Sequence, residues 1–101
     1  MRRYTTPKHV YTLPFDTAGI VAMRIVYAQN EKIIVAKEIS ECERAGNTVS
    51  VKLSQEETAL FDYKKNFVEI QMHILDDAGN SLVSKPIKIA VEKCLDTEVL
   101  K

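Results

Sequence analysis

The sequence predicts an all-β fold, a two-layer sandwich of about seven antiparallel strands with one short helical turn near residues 54–61. Three observations carry this. From Thr48 to Asp77, two stretches alternate apolar and polar residues at the strand period: Val49, Val51 and Leu53 in one, Val68, Ile70, Met72 and Ile74 in the other. Between them, Ser54 followed three residues later by Glu57 is a helix-start signature, in which each side chain bonds the other's backbone N–H. Elsewhere, turn residues recur every 8–12 positions, the spacing of a sandwich or barrel.

The elements follow in order. Met1–Pro7 reads as an extended arm, because Pro7 holds Thr6 out of the helical region. His9, Tyr11, Leu13 and Phe15 alternate along a first strand, which Pro14 marks as an edge. After a turn at 16–19, a strand over 20–27 places Val21, Met23, Ile25 and Tyr27 on one face and Ile20, Ala22, Arg24 and Val26 on the other. Both faces are apolar enough to predict a central position. A polar hairpin at 29–32 leads to a third strand, 33–39, with Ile33, Val35 and Ile39 on one side. Residues 41–47 are polar and end in the Gly46-Asn47 turn signal.

After the strand at 49–53, the capped turn presents Leu60 and Phe61 as plugs for that end of the core. The strand at 68–74 ends in Asp76-Asp77-Ala78-Gly79-Asn80, a hairpin turn whose Gly and Asn tolerate positive φ. Short strands at 81–84 and 87–91 follow. The tail, 95–101, carries Leu95, Val99 and Leu100 at near-helical spacing and is expected to form one turn and pack, or to bind a neighbour.

At 101 residues the chain is read as one domain spanning 1–101. Apolar residues make up 46% of it, which excludes a disordered composition. Fourteen basic and fourteen acidic residues cancel, which argues against a general binder of nucleic acid or acidic membranes. Zero net charge also makes self-association cheap. No apolar segment follows Arg2-Arg3 as in a secretory leader, and the run from Ala18 to Val26 is too short to span a bilayer, so the chain is expected to be made and kept in a cytoplasm.

Candidate chemistry is sparse. The only histidines, His9 and His73, and the only cysteines, Cys42 and Cys94, lie far apart without metal-ligand spacing. The cysteines read as reduced and part-buried. Asp62, Asp76 and Asp77 lack the alternating oxygen ligands of a calcium loop. Lys64-Lys65 beside Tyr63 and Phe67 is too short for a single-strand-binding groove. Glycine-rich phosphate loops and serine elbows are missing. No catalytic, cofactor-binding or metal residue and no cofactor is assigned, and the expected activity is non-enzymatic.

A series of segments carries a resemblance: Arg3-Tyr4-Thr5-Thr6-Pro7, Tyr11-Thr12-Leu13-Pro14-Phe15, Leu53-Ser54-Gln55-Glu56-Glu57-Thr58 with Phe61, Val68-Glu69-Ile70-Gln71, and Asp77-Ala78-Gly79-Asn80-Ser81. The series resembles small prophage-encoded proteins of Gram-positive bacteria. It is also similar in outline to the immunoglobulin-like N-terminal domain of phage baseplate upper proteins. The resemblance implies an immunoglobulin-like sandwich and a virion, tail or baseplate-associated structural or assembly protein. Such a protein works by contact with other virion proteins or with copies of itself. Two other classes stay open: a prophage-encoded regulator or inhibitor of a host protein, and a carbohydrate- or nucleic-acid-binding module.

Overall fold

The computed structural model describes residues 1–65 and 67–100; Lys101, the last residue of the tail, and the side chain of Lys65 lie outside the description. The chain is mostly β. Eight strands run in order: β1 (Lys8–Thr12), β2 (Ile20–Gln29), β3 (Lys32–Glu38), β4 (Glu43–Ala45), β5 (Thr48–Lys52), β6 (Phe67–Asp76), β7 (Ser81–Val83) and β8 (Ile87–Ala90). Among the described residues, one short α-helix, α1 (Gln55–Ala59), sits between β5 and β6.

Every strand pairing is antiparallel, in two sheets. The small sheet has the order β1-β5-β4. The large sheet has the order β3-β2-β6, and both β7 and β8 pair with the far side of β6. β7 takes residues 73–75 of β6 and β8 takes 67–70, so the last two strands are one edge interrupted at Ser84-Lys85-Pro86. The interruption is stitched to β6: the Ser84 N–H donates to the Met72 carbonyl (2.9 Å) and the Ser84 hydroxyl accepts from the Met72 N–H (2.8 Å). Pro86 has no N–H to offer a ladder, which explains the break there.

The two sheets share one core. Val49, Val51 and Leu53 come from the small sheet and the residue that follows it, and Met23, Ile25, Tyr27, Val68, Ile70, Met72 and Ile74 from the large one. α1 closes one end. Its capping box is formed as expected, with the Glu57 N–H donating to Ser54 Oγ (3.1 Å) and the Ser54 N–H to Glu57 Oε1 (2.9 Å). Phe61 is buried, but Leu60 points to solvent at 61% exposure. The turn is too short to bury both, because successive residues on it face different directions.

Two bulges overturn expected faces. A register shift between Ile20 and Ala22 turns Ile20 inward and leaves Val21 exposed, although Val21 alternates with Met23 in the sequence. A second, at Tyr27/Ala28, pairs Tyr27 with Val35 but Ala28 with Ile33, so Ile33 faces out while Val35 is buried. β2 is central as expected, but its outer face is open, with Ala22 and Arg24 exposed. The eighth strand, β4, arises in the segment read as polar connection. All three of its residues are exposed, so no alternation announced it, and backbone pairing with β5 alone defines it. The tail shows no helical turn: Leu95 is 90% and Leu100 73% exposed.

The turns follow local chemistry. Asn30 and Glu31, at φ +49° and +64°, make the two-residue β2–β3 hairpin. Asp76 builds the β6–β7 turn: Oδ1 accepts from the Ala78 and Asn80 N–H groups (3.0 and 2.8 Å), and Gly79 takes φ +85°. Buried polar side chains act as tethers. Thr58 accepts from the Thr5 N–H (3.0 Å) and donates to the Thr5 carbonyl (2.9 Å), fixing the arm to α1. Gln29, read as hairpin, is buried at the end of β2; it donates to the Asp62 carbonyl (2.8 Å) and accepts from the Asp62 N–H (2.8 Å).

Candidate functional site

The two long sides of the two-sheet stack differ. On one, the chain itself crosses from β3 through a 3-10 turn (Ile39–Glu41) to β4, joining the large sheet to the small one. On the other, β1 ends the small sheet and the β7–β8 edge ends the large one, with no strand between them among the described residues. The arm lines part of this side through Met1 and Pro7, and the Met1 amine donates to the Ala90 carbonyl of β8 (2.6 Å). Arg2 bridges Glu92, the Arg3 N–H donates to the Glu92 carbonyl (3.2 Å), and the Glu92 N–H donates to the Met1 carbonyl (2.8 Å).

Along the open side runs a groove of about 370 Å³. Its banks are His9, Val10 and Tyr11 of β1 and Ile87 and Ile89 of β8, with Ile70 in its floor. Val10 and Ile87 are 58% and 45% exposed. Free strand edges offer unpaired N–H and C=O groups, and here two of them border an apolar trough.

Behind the β1 bank lies a polar cluster that joins the sheets. Tyr27 of β2 is fully buried, and its hydroxyl lies 2.8 Å from His9 Nδ1 and 3.0 Å from the Tyr11 hydroxyl. With His9 neutral, all three groups are satisfied when Nδ1 accepts from Tyr27 and Tyr27 accepts from Tyr11. The His9 ring stacks on Tyr27 (5.7 Å, 28°), which in turn meets Phe61 (6.1 Å, 50°). Burial pulls the His9 pKa below its ordinary value, aided by the positive N-terminus. Burial pushes the Tyr27 phenol far up, with its Tyr11 hydrogen bond acting the same way. Tyr11 rises too, chiefly by burial, and so does Cys42. The cluster therefore holds hydroxyl, thiol and imidazole in their neutral forms near pH 7.

Beside α1, Lys37 Nζ lies 2.7 Å from Glu57 Oε2 and 3.7 Å from Glu41 Oε2. Burial lowers the Lys37 pKa, but the bond and charge of Glu57 outweigh it and leave it raised. Burial likewise raises Glu57, and the Lys37 bond with the Ser54 cap outweighs this to hold its carboxyl low. This pair ties β3 to α1.

The residues singled out from the sequence do not assemble. His9 and Cys42 border the tyrosine cluster, with the Cys42 thiol directed at the Glu38 carbonyl (3.4 Å). His73 lies on the outer face of the large sheet, 2.8 Å from Ser81 Oγ. Cys94 sits in the tail against the Asp96 carbonyl (3.0 Å). Both cysteines are free and half-buried. Among the described residues, no three His, Cys, Asp or Glu side chains converge for a metal. Asp62 caps the Lys64 N–H (2.9 Å), and the Tyr63 ring is flanked by Arg3 and Lys93 (5.9 and 5.8 Å). Phe67 is exposed.

A second depression, about 400 Å³, opens on the outer face of the large sheet beside Arg24, Glu38 and His73. Its charges are already spent on each other, Arg24 Nε on Glu38 Oε1 at 3.0 Å. No described helix is long and apolar enough to cross a membrane.

The tyrosine–histidine cluster is what sequence reasoning missed. The signal was present: a tyrosine on the inward face of an apolar strand needs a partner for its hydroxyl. His9 and Tyr11, two apart on an edge strand, are the inward polar residues able to supply it. Comparison with protein-family models, curated proteins and solved structures finds no match to this chain.

Proposed function

We propose that this chain is a non-enzymatic phage or prophage module, an immunoglobulin-like sandwich that joins a tail or baseplate assembly through protein–protein contact at its open side. One observation carries the contact: two sheet edges with no further strand on them among the described residues border a single apolar groove, with the arm at one end, its Met1 amine on the Ala90 carbonyl. An extended segment laid there would satisfy backbone groups and cover Val10 and Ile87 together, the β-addition mode of recognition. The immunoglobulin-like reading is supported by the capped helix at the crossing from β5 in one sheet to β6 in the other. The phage setting rests on the resemblance of the segments between Arg3 and Ser81.

Size-exclusion chromatography with light scattering tests the proposal. The expected result is an oligomer whose mass rises with concentration and which Ile87→Asp dissolves. A chain that stays monomeric at every concentration favours a regulator of a host protein instead. An oligomer indifferent to Ile87→Asp places the contact elsewhere and refutes the open-side reading.

A further inference from the structure

We propose that the open side receives residues Leu95–Leu100 of a second copy of this chain, laid as an added strand along β1. The inference rests on the open-side reading and names its occupant. Three features of the segment fit. It has no regular structure, and the bonds that hold its end are a side-chain pair with Gln55: the Gln55 amide donates to the Leu100 carbonyl and accepts from the Leu100 N–H, each at 3.0 Å. It leaves Leu95 and Leu100 uncovered. Extended, it alternates by twos, with Leu95, Thr97 and Val99 on one side and Asp96, Glu98 and Leu100 on the other, so Leu95 and Val99 are the groove-facing pair.

The groove supplies the complement. Leu95 and Val99 would meet Ile70, which is in the core, Ile89, which packs on it, and Ile87, which is 45% exposed. None of the nine residues lining the groove is a carboxylate, while Lys8, its Nζ 3.7 Å from the exposed Glu43 carboxylate, lies on the β1 bank and Lys88 is exposed between Ile87 and Ile89. Asp96 and Glu98 therefore arrive at a surface of opposite charge. Length matches as well: Leu95–Val99 is five residues, as is β1, and both span about 13 Å at the strand rise.

A copy cannot fill its own groove in this way. The tail leaves the large sheet at Val91–Glu92, where Arg2 and Arg3 already pair with Glu92. Turning back along the groove would displace the arm, along with the 2.7 Å Arg2–Glu92 ion pair. A second copy approaches from outside and leaves the Arg2–Glu92 pairing in place, meeting the arm only at Met1 and Pro7, where the groove ends.

The test uses three full-length chains: the unaltered protein, the tail variant Leu95→Asp/Val99→Asp, and the groove variant Ile87→Asp. Circular dichroism verifies the fold of each; Val10→Asp, at a 58% exposed position on the same face of β1 as Lys8, replaces Ile87→Asp if that variant loses its spectrum, because it sets a like charge against Asp96 and Glu98. Sedimentation velocity is run across concentration. The expected result is association of the unaltered protein, at least tenfold weaker in either variant, and partly restored when the two variants are mixed, because one brings an intact groove and the other an intact tail. If the groove variant dissociates and the tail variant associates normally, the tail is not the occupant and the open-side reading survives. If the unaltered protein is monomeric throughout, or neither variant changes its association, both fall.

Discussion

Replacing Tyr27 by Phe isolates one hydroxyl at the junction of the two sheets. The ring stays, so its stacking on His9 and its contact with Phe61 are retained, and no cavity larger than an oxygen opens. Two hydrogen bonds go, at 2.8 and 3.0 Å. Each contributes about 0.5–1.5 kcal/mol net, and stranding a buried partner costs about 1–3 kcal/mol. His9 and Tyr11 are only half-buried and regain part of their hydration, so the loss falls at about 1–2 kcal/mol. That corresponds to a fall in Tm of about 4–8 °C for each kcal/mol in a domain of this size. The pH dependence adds a second readout. His9 has its folded pKa lowered from 6.5, so stability is complete above 6.5 and declines as pH falls from there toward the folded value. The Tyr27 bond favours the neutral ring, so losing it moves the folded pKa back toward 6.5 and removes part of that decline. Urea unfolding at pH 7.5 and at pH 5.0 measures both. Tyr27→Phe should be less stable at pH 7.5, with the gap narrowing at pH 5.0. Equal or greater stability at pH 7.5, or a gap that widens on acidification, would refute the reasoning.

Ile70, 3% exposed, tests the core: Ile70→Asp buries an unpaired charge and should abolish the cooperative thermal transition, while Gln71→Asp next to it loses only the 2.8 Å bond to the Ser84 carbonyl and should still melt as a folded protein. Lys37→Met removes the partner of Glu57 and should cost about 1–3 kcal/mol by denaturant unfolding at pH 7, the range for a hydrogen bond to a charged group. Because the folded Glu57 pKa is lowered, the contribution is present above its ordinary value near 4.5 and is lost as pH falls through the folded value; the difference between Lys37→Met and the unaltered protein should therefore shrink in acid. Ser54→Ala removes the N-cap of α1 and should lower stability by about 1 kcal/mol, with no change in the far-ultraviolet β signal.

Local chemistry was legible wherever one or two neighbours decide the outcome. The Ser54–Glu57 box, the Asp76–Asn80 turn and the inward sets Val49/Val51/Leu53 and Val68/Ile70/Met72/Ile74 stand where their residue types put them. Phase failed where the ladder gains a residue. Val21 and Ile33 have apolar side chains at strand period, yet bulges in β2 and between β2 and β3 turn both outward. A bulge is set by the register of two strands against each other, which a single strand's alternation does not encode. β4 escaped for a related reason, since an exposed three-residue strand is defined by its partner's backbone rather than by its own side chains.

The candidate site belongs to this second class. His9 and Tyr11 lie 18 and 16 positions from Tyr27, and only the stacking of one sheet on the other brings their polar atoms within 3.0 Å of its hydroxyl. By itself, then, the sequence determined the class of structure, its turns, its cap and most of its interior, because period and capping act over a few residues. The pairing order of the strands decided which edges stay open, which apolar residues reach solvent and which hydroxyl meets the imidazole. Those outcomes depend on contacts between residues distant in the chain, and they exist only once the two sheets have closed on each other.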